Sequence, residues 1–257
     1  MNMAINTFKQ GLLAGKPQIG LWISLCSPFA ADVVSCAGFD WTLLDMEHSP
    51  NEMPTVLGQL QAMQQGTTTP LVRPVWNDPL LVKRLLDLGA PGLLFPMIQS
   101  VAEAQQAVAS TRYPPNGFRG VSLAQRGNRF GRTSDYFDQV EAQTCILIQL
   151  ETQHALKQAK AIANVDGVDG IFFGPADISA DSGHLGTVND PSVWDDIMAT
   201  AEVVRGEGKA VGTLVGDAQK AIDLIENGFT FVACGSDLGL LARGSDALLS
   251  TVRQGIS

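Results

Sequence analysis

The chain has 257 residues, 45% of them hydrophobic and 17% charged, with a formal net charge of −9. This is ample material for a large core and excludes a disordered chain. The acidic balance argues against nucleic acid or an anionic membrane surface as partner, and no run of about 18 apolar residues offers a membrane span.

Residues 1–16 lack the apolar stretch of a signal peptide. Segment 7–14 is instead expected to plug the floor of the fold. Short apolar runs follow at residues 19–25, 41–46, 70–75, 92–95, 145–150, 170–173, 210–215 and 231–234. They are continuously apolar rather than alternating, as parallel strands covered on both faces require. Helical patterns lie between them at 78–88, 101–111, 152–163, 193–207 and 217–227, with stops such as Gly89 and Gly228. A helix with an apolar stripe, 237–252, closes the chain. The segment 114–143 is long for a connection and carries Arg119, Arg126, Arg129 and Arg132. Eight strand–helix units, with no glycine-rich GxGxxG turn, predict a single-domain (β/α)8 TIM barrel over residues 1–257. Cys26, Cys36, Cys145 and Cys234 form no CxxC pair, which points to a reducing, cytoplasmic setting.

Barrel chemistry sits at the carboxyl ends of the strands. The second strand ends in Asp45-Met-Glu47-His48, the third at Arg73, the fifth in Gln149-Leu-Glu151 and the sixth in Gly174-Pro175-Ala176-Asp177. Four strands thus deliver polar groups to one rim. Gln149 and Glu151 share a strand face and point into the barrel mouth. Arg73, between an apolar strand and a proline, is awkward to bury without an anion. Asp177 reads either as a ligand or as an acid complementing a helix dipole, and His48 alone would read as a surface histidine. Two carboxylates without nearby Cys or His suit Mg²⁺, Mn²⁺ or Co²⁺. The turn at Gly174–Pro175 opens a helix whose free amides suit a small carboxylate. A 2-oxo acid fits such a site, with Arg73 facing the keto oxygen. No lysine lies at the carboxyl end of a predicted strand, so a Schiff-base aldolase is excluded; Lys209 precedes its strand.

The stretches Leu-Leu-Asp45-Met-Glu47-His48-Ser-Pro, Val-Arg73-Pro-Val-Trp, Arg112-Tyr-Pro-Pro-Asn-Gly-Phe-Arg119-Gly, Gln149-Leu-Glu151-Thr and Gly174-Pro-Ala-Asp177 resemble the HpcH/HpaI aldolases, in order and over nearly the whole chain. The resemblance implies reversible cleavage of 4-hydroxy-2-oxo acids, such as 4-hydroxy-2-oxoheptanedioate or 2-keto-3-deoxy sugar acids, to pyruvate and an aldehyde. The alternative is oxaloacetate decarboxylation or acyl-CoA lysis by the same site. It further implies Glu151 and Asp177 as metal ligands, and the amides of Gly174–Asp177 as the pyruvate carboxylate's cradle. Arg73 would stabilise the enolate. His48 would act as acid/base, with Asp45 nearby and Asp87 as a partner orienting it. Trp22 and Leu214 match pocket-lining positions, and Gln149 one that supports the metal's water shell. Hexamers of paired trimers with an exchanged C-terminal helix are also implied. The loop 122–133 departs from the family's small-residue stretch. Its arginines would either meet an acidic aldehyde tail or form a solvated basic loop.

Overall fold

The computed structural model describes residues 1–256. In chain order the elements are α1 (Thr7–Leu13), β1 (Gln18–Ile23), α2 (Pro28–Ser35), β2 (Trp41–Asp45), α3 (Met53–Ala62), β3 (Thr69–Arg73), α4 (Pro79–Asp87), β4 (Gly92–Phe95), α5 (Val101–Thr111) and α6 (Tyr136–Gln143). After these come β5 (Cys145–Leu150), α7 (Gln153–Lys157), α8 (Ala159–Ala163), β6 (Gly170–Phe173), α9 (Pro175–Asp181), α10 (Pro191–Gly206), β7 (Ala210–Leu214), α11 (Ala218–Glu226), β8 (Phe231–Ser236) and α12 (Asp237–Gly255). The eight strands are parallel and close into a barrel, β8 pairing back to β1. The predicted (β/α)8 architecture is therefore the observed one. Helix starts follow the local chemistry: Ser27, Asp78, Ser100, Thr152, Asp190, Asp217 and Ser236 each cap a first turn with a side-chain oxygen.

Two apolar layers explain why the strands read as unbroken hydrophobic runs. Residues such as Ile23, Leu44, Val72, Ile148, Ile171 and Val232 pack outward against the helices. Trp22, Leu43, Leu71, Leu94, Leu147 and Phe172 fill the tube. The N-terminal helix α1 closes the floor as its sequence suggests. Phe8 is fully buried, its ring centroid 5.6 Å from Trp41 and 6.0 Å from Phe231. Phe231 in turn lies 6.2 Å from Phe172, and Phe172 lies 5.4 Å from Trp22, so an aromatic column rises from the floor to the mouth. Gly20 makes room for it: a Cβ there would come within 2.2 Å of the Trp41 ring.

Two expectations are refined. The pattern at 152–163 forms two short helices, interrupted at Gln158, whose side chain donates to the Gln99 carbonyl at 2.9 Å. The long segment 114–143 ends in α6. Among the described residues no helix is long and apolar enough to cross a membrane.

Because Phe8 joins the floor plug to two barrel aromatics, Phe8→Ala is expected to cost about 3–5 kcal/mol. The check is the urea unfolding midpoint, with far-ultraviolet dichroism reporting a retained fold.

Candidate active site

Asp45 and Arg73 are the last residues of β2 and β3 and stand beside each other in register. Their side chains meet twice: Arg73 Nε donates to Asp45 Oδ1 at 2.9 Å and Nη2 to Oδ2 at 2.7 Å. The indole Nε1 of Trp22 also donates to Asp45 Oδ2, at 3.2 Å, and the Arg73 guanidinium carbon lies 5.0 Å from the Trp22 ring centre. The amides of Glu47 and His48 turn back onto Asp45 Oδ1 at 3.0 and 3.4 Å. Ser49 and Asn51 hold the Asp45 carbonyl, and Gln59 holds Asn51. Burial works to raise the Asp45 pKa, but the bonds and charge of Arg73, the Glu47 amide and the Trp22 indole outweigh it and hold the carboxyl below its usual range.

The remaining edge of Arg73, Nη1, faces Glu47 Oε2 at 2.8 Å. Burial pushes the Glu47 carboxyl up, partly offset by the charges of Arg73 and His48. Sequence reading gave Glu47 no role, because it lies in the turn after β2, outside the strand alternation that marks Asp45. His48 is exposed, with Nε2 3.8 Å from Glu47 Oε2.

Across the mouth, Glu151 follows directly on β5 and is only 1% exposed. Its Oε1 accepts from the Met97 amide at 2.8 Å, a geometry set by a left-handed Met97 (φ 52°) that no sequence signal announces. Its Oε2 and the Oε1 of the neighbouring Gln149 are buried without a hydrogen-bond partner. Burial, then the closeness of Asp177, pushes the Glu151 carboxyl up to about 8. Asp177 sits in the first turn of α9, with Gly174 as N-cap and Pro175 at the first position. Gly174 is required here. A Cβ would lie 2.9 Å from Glu151 Cγ and 3.0 Å from its Oε2. The amides of Ala176 and Asp177, in the opening turn, have no acceptor within the helix.

Glu151 and Asp177 are two carboxylates close enough to act on each other at this rim. Among the described residues no cluster of three or more His, Cys, Asp or Glu is positioned for a cation. Two carboxylates leave most of an octahedral shell to water and substrate oxygens. Leu214, at the end of β7, packs against the inner aromatic cluster. It also lines a cavity of about 680 Å³ with Cys234, Ser236, Leu240 and Arg243, beside the same rim.

One expected partner stands apart from His48 within the chain. Asp87 ends α4, which descends from the mouth toward the start of β4, and it pairs with Arg119 Nη2 at 2.7 Å. Within one chain it lies at the opposite end of the barrel from His48. The loop arginines are likewise engaged away from the mouth. Buried Arg119 stacks on Tyr113 at 4.5 Å, and Arg126 donates to the carbonyls of Leu88 and Leu60, near the C-terminal ends of α4 and α3. Arg129 contacts Met1, and Arg132 lies over Phe130. In its own chain, the basic loop is a clasp around the barrel's floor.

Residues 18–244 match the HpcH/HpaI aldolase/citrate lyase family. The chain belongs to that family. It is 51% identical over 244 residues to the 4-hydroxy-2-oxo-heptane-1,7-dioate aldolase of Klebsiella pneumoniae subsp. pneumoniae, covering 95% of this chain and 92% of that one. An aldolase of the same name from Escherichia coli is 48% identical, with 95% and 93% covered. The crystal structure of an HpcH/HpaI aldolase/citrate lyase family protein from Burkholderia cenocepacia J2315 superposes with a TM-score of 0.93 at 37% identity, covering 96% and 99% of the two chains.

The raised Glu151 carboxyl has a measurable sign. The folded chain holds this proton up to about pH 8, whereas the unfolded chain releases it in the ordinary carboxylate range. Its contribution to stability is thus present at acid pH and lost as pH rises through about 8. In protein stripped of divalent ions, the urea midpoint should fall from about pH 4.5 to about pH 8 and level off above that. Glu151→Gln should flatten that slope.

Proposed function

We propose that this chain is a divalent-metal-dependent aldolase that cleaves a 4-hydroxy-2-oxo acid to pyruvate and an aldehyde, and runs the reverse addition. The observation that carries this reading is one rim presenting a buried, carboxylate-fixed arginine opposite two adjoining acids, one with an orphaned oxygen. The orphaned oxygens of Glu151 and Gln149, and the strain of keeping Glu151 and Asp177 together without a counter-charge, fit a cation such as Mg²⁺, Mn²⁺ or Co²⁺. Held by Glu151 and Asp177, that ion would supply Lewis-acid polarisation of the 2-oxo group. Gln149 would support its water shell.

The chain's own groups do the rest. The opening-turn amides of α9, within Gly174–Asp177, receive the substrate carboxylate. Arg73 faces the keto oxygen and stabilises the negative charge that grows there as the C3–C4 bond breaks. His48 accepts the 4-hydroxyl proton during cleavage and returns it to the aldehyde oxygen during addition. Trp22 forms a wall of the pocket and locks Asp45 behind Arg73. Leu214 and the cavity beside it are where the aldehyde portion lies. The naming of the Klebsiella relative favours a seven-carbon diacid as substrate, whose cleavage leaves succinic semialdehyde with pyruvate. The free thiols of all four cysteines fit a reducing, cytoplasmic setting.

Pyruvate release should be assayed from hydroxy-oxo acids with differing tails, alongside oxaloacetate and a CoA thioester. Activity on the hydroxy-oxo diacid, lost with EDTA and restored by Mn²⁺, Co²⁺ or Mg²⁺, is the expected result. A lysine adduct trapped by borohydride with pyruvate would overturn the reading.

We infer further that the working form is a homo-oligomer, trimers paired to a hexamer, in which α12 is covered by neighbouring copies. Asp237 anchors the start of α12 by accepting from the Ser24 and Leu25 amides at 2.8 and 3.1 Å. Beyond it Leu240, Leu241, Leu248, Leu249 and Val252 all face water in the single chain. Sedimentation should report a hexamer, and Leu241→Glu with Leu248→Glu should shift it toward smaller species.

A further inference from the structure

We propose that Arg243, in the second turn of α12, selects substrates with an acidic tail by receiving the distal carboxylate of the hydroxy-oxo diacid in the cavity beside Leu214. The inference rests on the aldolase reading of the same rim and names the side chain that reads the far end of its substrate.

Placement comes first. The cavity of about 680 Å³ opens between the ends of β7 and β8 and the start of α12, walled by Leu214, Cys234, Ser236, Leu240 and Arg243. Ser236 stands in register with Trp22, so the cavity adjoins the wall that carries Asp45 and Arg73. Among the described residues lining it, Arg243 alone is charged. Ser236, Gly239, Leu240, Arg243 and Gly244 recur at three- and four-residue spacing and share one face of the helix start. Leu241, Leu248 and Val252 lie about a third of a turn away, on the stripe left for a neighbouring copy. Room for a tail is also present. Gly216 and Gly244 line the cavity without a side chain, and a Cβ on either would meet nothing within 4 Å.

The chemistry agrees with the placement. Arg243 Nε lies 3.3 Å from Asp246 Oδ2, and both side chains are largely exposed. Such a pair is worth little and exchanges readily for another carboxylate. The Nη edge of the guanidinium is a two-pronged donor that fits a carboxylate. Ser236 Oγ accepts from the Gly239 amide at 2.9 Å, which leaves its hydroxyl hydrogen to give to the same ligand. A diacid needs these donors. Asp45, Glu47, Glu151 and Asp177 crowd the rim, and the charge of Arg73 is already shared between Asp45 and Glu47. A carboxylate tail left among those acids is repelled, whereas one that reaches α12 meets a cation.

The test compares 4-hydroxy-2-oxoheptanedioate with 4-hydroxy-2-oxoheptanoate, the same chain ending in a methyl group, as substrates of the intact Mn²⁺-loaded oligomer. Arg243→Gln should raise KM for the diacid by about tenfold while kcat changes by less than about twofold, because the tail is held equally before and during C3–C4 cleavage. KM for the monoacid should move by less than about twofold. Arg243→Lys, which keeps the charge without the fork, should recover part of the loss. The wild-type preference for the diacid should shrink as ionic strength rises from about 0.02 M to about 0.5 M, and in Arg243→Gln it should no longer respond to salt. Equal losses on both substrates, or an unchanged KM for the diacid, would sink the proposal. Should Arg243→Gln fail to fold or assemble, the wild type decides in the addition direction. A KM for succinic semialdehyde about tenfold below that for butanal at low salt, converging at about 0.5 M, supports the assignment, and the lack of any salt-dependent gap overturns it. Inactivity of the wild type on every hydroxy-oxo acid defeats the aldolase reading itself; an active wild type with a neutral Arg243→Gln defeats this inference alone.

Discussion

A guanidinium and a carboxylate, both withdrawn from water at the ends of neighbouring strands, hold this site together. Arg73 and Asp45 are each about 5% exposed or less. Two charges so placed persist only when their geometry is good and their remaining hydrogen bonds are met. Both conditions hold: the contact is bidentate, and the Trp22 indole and two loop amides complete the carboxylate. Because those amides belong to Glu47 and His48, the same pair that fixes the arginine also fixes the turn that carries them. Removing either partner strands a buried charge, at a cost of about 3–5 kcal/mol, before any chemistry is lost.

The mouth separates its acids by environment. Asp45 is surrounded by donors and a cation and stays ionised below its usual range, whereas Glu151 is equally buried but faces another acid and one amide, and its carboxyl rises to about 8. The first is a structural counter-ion. The second is a buried acid whose ionised form has only the Met97 amide to meet it.

Much of this was legible without coordinates. The eight strands stood out because each is apolar on both faces, and a barrel lined inside and clad outside demands that pattern. Asp45, Arg73, Gln149, Glu151 and Asp177 stood out because four strand ends deliver polar residues to one rim, where barrel chemistry sits. Side-chain partnership was less legible, since it depends on which end of the barrel a residue occupies. Asp87 closes a helix that runs opposite to the strands, so it descends to the floor and meets Arg119. The arginines of the long loop follow the same geometry. Met97 left no trace at all, because a left-handed methionine has no compositional signature.

The solid floor has a further consequence. Phe8, Trp41, Phe231 and Phe172 stack across the tube and fill it beneath the mouth. Such a chamber is a blind alley, in which the fragment seated deeper cannot depart until the shallower one has cleared the way. Any order of release from such a chamber would be a matter of depth, set by the aromatic stopper at one end of the barrel rather than by a residue that touches the reaction.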